Sequence, residues 1–376
     1  MDDLNQNPKL GAADRPNSYI GRSVPRERAK KLLEGKGKYV DDILLPRMAH
    51  LSYVRSPFAH AKIKSINTEN AKKYPGVLNV FTIDDIEKVC SPWQGVLGHL
   101  GEMRSPTQYP LAKDIVRWQG EPVAVVVANK RAVAEDASEL VEIDYEDLDA
   151  QLDMETAMDK STKVIHDDLG NNLFWTRTVN QGDVSEAFKQ SHIVEEVTLD
   201  FARHTGVTLE TRAIVADWDS SEEKMTVYHN GQAPHMMQSI IAKHLNLSEG
   251  LVRIISCDVG GSFGIKVHVY PDEMVTVAVS KLLKRPVKFV ADRLESYSTD
   301  IHSRCHKILG KIGVDDKGKI LAFEIDDLSG IGPFSVYPRT SAIETNQVLN
   351  LSAASYVVPN YKAKGTVVFQ NKTPMC

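Results

Sequence analysis

Short apolar segments alternate with segments of helical periodicity through the first third of the chain. Apolar runs or alternating patterns of four to eight residues are typical of strands, whereas apolar residues three or four positions apart are typical of one face of a helix. On these rules we predict a helix at 130–140 and another near 68–74. The predicted strands lie at 48–55, 61–67, 77–82, 123–128 and 141–145.

Longer strands dominate the remainder of the chain. We predict them at 192–201, 213–218, 224–230, 251–256, 287–291, 306–314 and 320–326. Helical spacing appears at 233–246, and a second helix begins at Pro271, where the next two residues are acidic. Proline fits the first turn of a helix, and acidic side chains are favourable beside the positive end of the helix dipole. The Lys-Arg-Pro sequence at 284–286 ends that helix.

These elements predict a mixed α+β protein made of two domains. A polar segment at 1–18 is expected to be a flexible tail. The first domain is assigned to 19–145, an acidic connector to 146–172 and the second domain to 173–376.

Composition narrows the class of protein. The chain has 376 residues, 42% of them apolar, which is enough for substantial cores. A formal charge of −5 gives no basic field for nucleic acid or anionic lipid. The apolar runs are too short to cross a bilayer, and the first residues lack the pattern of a signal peptide, so we expect a cytoplasmic protein. Four cysteines without a C-x-x-C pair argue against zinc or an iron–sulfur cluster within the chain.

A glycine loop follows the predicted strand at 251–256. Its sequence, GGSFGIK at 260–266, places three glycines and a lysine just before the helix that starts at Pro271. Glycines allow main-chain N–H groups to converge on an anion, and the lysine adds a positive charge. The loop matches neither the dinucleotide motif G-x-G-x-x-G nor a P-loop, since no Ser or Thr follows the lysine.

The loop resembles the molybdopterin-binding loop in the large subunit of molybdenum hydroxylases, the family of xanthine dehydrogenase, aldehyde oxidase and aerobic carbon monoxide dehydrogenase. Further motifs of that family occur in the same order along nearly the whole chain: GKYVDDI at 37–43, LSYVRSPFAHA at 51–61, VRWQGEPVAVVVA at 116–128, LETRA at 209–213 and NGQAPH at 230–235. The resemblance implies an α/β hammerhead domain followed by a molybdenum-binding domain that is incomplete at its C-terminal end.

The same resemblance implies the cofactors and the residues that contact them. The cofactor would be molybdenum held by molybdopterin, in its cytosine dinucleotide form, so that no protein atom is needed as a metal ligand. Gln232 would reach an oxo group of the metal, and Phe263 would wall the pocket against water. The cofactor-binding set is Gln232, Gly260, Gly261, Ser262, Phe263, Gly264 and Lys266.

Further expectations concern Val267, the residues Glu210 and Arg212, and the segment 302–306. Purine-oxidising relatives usually have a glutamate after the loop lysine, whereas this chain has Val267, which disfavours xanthine and resembles the carbon monoxide dehydrogenase-like group. Glu210 and Arg212, two apart on a predicted strand, are expected to form a buried ion pair. The histidines and the cysteine at 302–306 are expected not to form a metal site, because neighbouring strand residues face opposite ways.

We therefore expect the N-terminal half of a catalytic subunit that hydroxylates an aldehyde, an N-heterocycle or a related small molecule with oxygen from water. Electrons would pass to [2Fe–2S] clusters on a small subunit and to FAD on a medium subunit. The general-base glutamate of the family would lie outside this chain, so the chain alone is expected to be inactive. Two alternatives remain: a non-catalytic pterin-binding or assembly subunit of a split enzyme, and an unrelated enzyme that binds a phosphate ligand.

Overall fold

The computed structural model describes residue 19, residues 23–26 and residues 29–376. The predicted flexible tail at 1–18 lies outside these described residues. One unit ends at Lys38 and contains the short helix α1 (Ala29–Leu33). The second unit, Tyr39–Cys376, contains every other element described below. No helix in the described residues is both long enough and apolar enough to cross a membrane.

The second unit combines strands and helices throughout its length. Its strands are β1 (Ala49–Arg55), β2 (Ala61–Asn67), β3 (Val77–Phe81), β4 (Ile115–Val116), β5 (Pro122–Ala128), β6 (Glu142–Asp147), β7 (Leu173–Gln181), β8 (Ile193–Phe201), β9 (Ala213–Asp219), β10 (Lys224–His229), β11 (Val252–Ser256), β12 (Val287–Val290), β13 (His306–Val314), β14 (Ile320–Ile331) and β15 (Asn360–Phe369). Its helices are α2 (Glu69–Lys73), α3 (Ile83–Ile86), α4 (Arg131–Ser138), α5 (Val184–Gln190), α6 (Pro234–His244), α7 (Pro271–Leu283), α8 (Arg293–Thr299) and α9 (Ile343–Leu351).

A seven-stranded sheet forms the centre of this unit, in the order β11-β10-β9-β12-β1-β5-β3. β5 is an uninterrupted apolar run and is buried along its whole length, as expected of a strand covered on both faces. α7 packs against β9 and β12 and is buried at residues 272–280. The sheet joins the two predicted domains, because β1 pairs in parallel with β12. The division at 146–172 remains a prediction.

Two smaller sheets complete the unit. A five-stranded sheet has the order β7-β15-β14-β13-β8, and a three-stranded sheet has the order β4-β2-β6. β13 and β14, predicted as strands at 306–314 and 320–326, form an antiparallel pair, but β14 continues to Ile331, five residues beyond the predicted end. The predictions missed the strands β4, β7 and β15 and the helices α1, α3, α5, α8 and α9.

The turn before β5 buries a carboxyl group. Glu121 is 5% exposed, and its side chain accepts a hydrogen bond from the backbone N–H of Arg117 at 2.6 Å. Its backbone carbonyl accepts the N–H of Ser56 at 2.9 Å, which ties the turn to the end of β1. Burial raises the pKa of the Glu121 carboxyl to about 8, although the Arg117 N–H and guanidinium act in the opposite direction. The carboxyl group is therefore largely protonated at neutral pH.

This burial makes stability depend on pH in a defined window. The unfolded chain ionises Glu121 near pH 4.5, whereas the folded chain keeps the proton until about pH 8, so stability present at low pH is lost as the pH rises across that interval. We expect Glu121→Gln, which does not titrate, to melt close to the wild type at pH 4.5 and progressively above it up to pH 8. Thermal melts at a series of pH values measure this, and a difference in melting temperature that is the same at every pH would contradict it.

Candidate cofactor-binding site

The glycine loop lies between β11 and α7 and has an unusual backbone. Gly261 and Gly264 have φ values of +100° and +88°, and Phe263 has a φ of +50°. Such values favour glycine, because a side chain in this region of φ is strained. The N–H groups of residues 261–264 donate to no acceptor within the described part of the chain. The loop thus leaves four consecutive backbone donors without a partner among the described residues.

The side chains of the loop are arranged around this open backbone. Phe263 is 78% exposed, so it does not serve as a core residue in this chain. The Ser262 carbonyl accepts the N–H of Ile265 at 2.9 Å, and the Ser262 hydroxyl accepts the N–H of Lys266 at 3.2 Å. Both oxygen atoms of Ser262 therefore bond to the C-terminal end of the loop, at Ile265 and Lys266.

Glu210 holds the two ends of the loop together. One oxygen of its carboxylate accepts the backbone N–H of Gly260 at 2.8 Å and the Nζ of Lys266 at 2.9 Å. A Cβ added to Gly260 would lie 2.4 Å from the Cβ of Glu210, so only glycine fits there. Burial lowers the pKa of Lys266 and outweighs the opposite effects of its hydrogen bond to Glu210 and of the Glu210 charge. The sequence did not reveal this pair, because the two residues are 56 positions apart.

Gln232 lies beside the loop, between β10 and α6 as the sequence indicated. Its backbone N–H donates to the carbonyl of Lys266 at 2.9 Å. A Cβ on the preceding Gly231 would come within 2.4 Å of the His229 ring, so a glycine is required for this approach. The Gln232 side chain is exposed and has no hydrogen-bond partner among the described residues. All seven predicted site residues thus lie on two adjacent segments.

Arg212 is the fully buried centre of an ionic network behind the loop. Its guanidinium bonds to Asp272 at 2.6 and 2.9 Å and to Asp300 at 2.7 Å. The predicted ion pair between Glu210 and Arg212 is wrong, since Glu210 pairs with Lys266 instead. The predicted strand at 210–212 is also absent, and β9 begins only at Ala213.

This network is connected to both segments of the site. The Arg212 guanidinium stacks on the Tyr270 ring at 3.7 Å, and the Tyr270 hydroxyl donates to the carbonyl of Ile265 in the glycine loop at 2.9 Å. Asn230, which lies two residues before Gln232, donates its side-chain N–H to the carbonyl of Thr211 at 2.8 Å. Arg212 therefore fixes the glycine loop and the Gln232 segment relative to each other.

The electrostatics of the network act in opposite directions on its two aspartates. Burial alone would raise the pKa of Asp272, but Arg212 and Arg55 outweigh it and hold the pKa at about 2. Arg55 bonds to Asp272 at 3.0 Å and to Glu295 at 2.9 Å, which adds a second cation. Burial raises the pKa of Asp300 and is only partly offset by Arg212.

The histidine cluster is engaged in ion pairs. His306 Nδ1 lies 2.8 Å from Asp327, and its Nε2 lies 3.6 Å from Glu344. Burial lowers the pKa of His306, but the two carboxylates raise it to about 9. Within the described segments, no group of three His, Cys, Asp or Glu side chains is arranged to hold a metal ion.

Comparison with known proteins identifies two domain types in the chain. Residues 165–376 match the model of the molybdopterin cofactor-binding domain. Residues 34–149 match the model of the aldehyde oxidase and xanthine dehydrogenase a/b hammerhead domain.

Individual relatives agree with these matches. The nicotine 6-hydroxylase large subunit of Paenarthrobacter nicotinovorans is 34% identical over 98% of this chain, and the carbon monoxide dehydrogenase large chain of Hydrogenophaga pseudoflava is 30% identical over 93%. The crystal structure of quinoline 2-oxidoreductase from Pseudomonas putida 86 superposes with a TM-score of 0.89 at 30% identity over 95% of this chain. The chain spans 45% of the length of each of these three proteins.

Removal of the central cation should be costly. Arg212→Met would leave Asp272 and Asp300 buried without their partner, for which we expect a loss of about 3–5 kcal/mol in the free energy of unfolding at pH 7. Arg131 provides a matched control, because its bond to Glu135 is exposed to solvent and Arg131→Met should cost at most about 1 kcal/mol. Urea unfolding of both variants measures the difference, and similar losses would show that the Arg212 network is not a main support of the fold.

Proposed function

This chain belongs to the large-subunit family of the molybdenum hydroxylases, and from that premise we propose that it is the molybdopterin-binding part of an oxidoreductase. Both the family and its fold, a hammerhead domain followed by a molybdopterin-binding domain, are those predicted from the sequence motifs. The reaction we propose is the hydroxylation of a small molecule with water as the source of oxygen. Because the chain spans 45% of its relatives, this activity is proposed for the chain together with the remainder of such an enzyme.

The observation that carries the proposal is the set of open backbone donors at residues 261–264. These N–H groups have no acceptor in the described chain, and Gly261 and Gly264 allow another molecule to approach the backbone closely. Oxygen ligands of a metal centre and the polar edge of a pterin both supply acceptors for such donors. The residues present therefore fit the cofactor that the family binds.

The role that we propose for each side chain follows from whether it is exposed or already paired in the structure. The Gln232 amide, free of partners in the described residues, offers both a donor and an acceptor beside the loop. Phe263 projects outward and would exclude water once the cofactor is bound. Lys266 is paired with Glu210, so we assign it to holding the loop through that pair and through its carbonyl, which Gln232 binds. The bound molybdenum centre would supply the two-electron chemistry.

An N-heterocycle or an aldehyde is the substrate class that we propose. Val267 offers no side-chain hydrogen bond of the kind that would select a purine. The names of two relatives, nicotine 6-hydroxylase and quinoline 2-oxidoreductase, refer to N-heterocyclic compounds. We further propose the cytosine dinucleotide form of the cofactor, [2Fe–2S] and FAD partner subunits, and a cytoplasmic location.

Gln232→Ala tests this function in the assembly purified through a tag on this chain. We expect the wild-type assembly to hold about one molybdenum per chain, and the variant to retain that metal and its melting temperature because the Gln232 side chain is exposed. Oxidation of quinoline or nicotine with a dye acceptor should fall about tenfold or more, since the lost hydrogen bond acts where charge develops.

An exposed glutamine on α5 gives the control. Gln190→Ala should leave both the rate and the metal content unchanged. An unchanged rate for Gln232→Ala at full metal content would return Gln232 to a structural role, and a wild-type assembly without molybdenum would contradict the proposed function itself.

A further inference from the structure

Strand β8 has an apolar face that nothing in the described chain covers. It is the edge strand of the five-stranded sheet, and each of its nine residues is exposed. Alternate side chains of a strand share a face. One face of β8 carries Ile193, Val197, Leu199 and Phe201, which are between 44% and 52% exposed, and it also carries the exposed Glu195. A long exposed edge with an apolar face is a surface that native proteins normally cover or break with charge.

The neighbouring strand extends this surface. In the register between β8 and β13, Leu199 lies opposite Ile308 and Phe201 lies opposite His306, so these side chains point the same way. We define the apolar β8–β13 face by its residues Ile193, Val197, Leu199, Phe201, Ile308 and Ile312. The opposite face is mostly polar, with Lys311 paired to Glu196 at 3.8 Å, and it also exposes Val194 and Leu309. The face that contains Leu199 is therefore the more apolar of the two.

A recess lies at one end of the apolar β8–β13 face. Its volume is about 390 Å³, and α9 forms its far wall through Glu344, Gln347 and Val348. Phe201, Ile308 and Val348 supply its apolar lining, and Arg304 and His306, both paired with Glu344, supply its charged lining. A space of this size can take one or two large apolar side chains, which is how anchoring residues of an interface are usually held.

We infer that the apolar β8–β13 face is the docking surface for the polypeptide that corresponds to the remaining part of the family's large subunits. The inference rests on the proposed function, because the three relatives compared above each carry more than half of their length beyond the part that this chain matches. The occupant would present an apolar segment to the face and an aromatic or aliphatic anchor to the recess.

Continuity with the glycine loop favours this occupant over another copy of the chain. β8 leads directly into residues 202–210, where Leu209 is 94% exposed and Glu210 holds the loop. A Cβ on Gly206 would touch Phe263 at 3.0 Å, so this connecting segment packs beside the exposed loop aromatic. A single polypeptide that covers the apolar β8–β13 face and this segment would also enclose the cofactor.

Site-specific photo-crosslinking tests the docking surface in the assembly purified through a tag on this chain. With p-benzoylphenylalanine at position 199, on the apolar face, we expect crosslinks to peptides from the second part of the large-subunit sequence, whether that part is continuous with this chain or separate. The same probe at position 198, on the opposite face, should give none of them. Crosslinks from 199 to another copy of this chain, to an iron–sulfur or flavin subunit, or to nothing would overturn the inference.

Charge substitutions provide an independent measurement with a matched control. Leu199→Lys should lower the yield of the complete assembly at least tenfold while the variant chain keeps its melting temperature, because Leu199 is exposed on an edge strand. Thr198→Lys should assemble normally, and equal yields for the two variants would contradict the inference. Molybdenum content separates the two proposals: a loaded assembly with crosslinks elsewhere rejects only the docking surface, whereas an assembly without molybdenum rejects the proposed function.

Discussion

The fold of the site depends on the burial of one guanidinium group. Arg212 is 0% exposed and must be neutralised by carboxylates drawn from distant parts of the chain, namely Asp272 in α7 and Asp300 after α8. A charge removed from water is tolerated only when its partners and hydrogen bonds are complete. The start of β9, the first turn of α7 and the end of α8 are therefore held in one arrangement, and Tyr270 extends this constraint to the glycine loop.

The backbone N–H groups of the glycine loop fall into two groups. The N–H of Gly260 is permanently satisfied by Glu210, whose carboxylate also neutralises Lys266. The following four N–H groups remain open, and they lie beside an exposed aromatic side chain at Phe263. The internal pair fixes the shape of the loop without occupying the donors that the proposed cofactor would use. Open donors and an exposed apolar side chain thus lie at the same place, as expected of a site that binds another molecule.

Local patterns in the sequence predicted much of the fold, but they could not predict which residues pair when they lie far apart in the chain. β2 and β13 have the predicted bounds, and β13 ends at a turn closed by the bond from Gly318 N–H to the Asp315 carbonyl. The end of β14 was missed because Asp327 is buried there, which is possible only because His306 lies 2.8 Å away on β13. Glycine, lysine and alanine in β15 likewise hid its alternating burial. The partners of Lys266 and Arg212 depend on residues more than fifty positions away, so spacing along the chain could not reveal them.

We propose that the open backbone at residues 261–264 holds the cofactor, and the molybdenum content of a pair of glycine variants tests this most directly. Gly261 and Gly318 both have positive φ values, so valine at either position should cost about 1–3 kcal/mol in backbone strain. We expect the assembly with Gly261→Val to retain less than a tenth of its molybdenum per folded chain, whereas Gly318→Val, in the turn after β13, should keep all of it. Full molybdenum content in the Gly261→Val assembly would contradict the account.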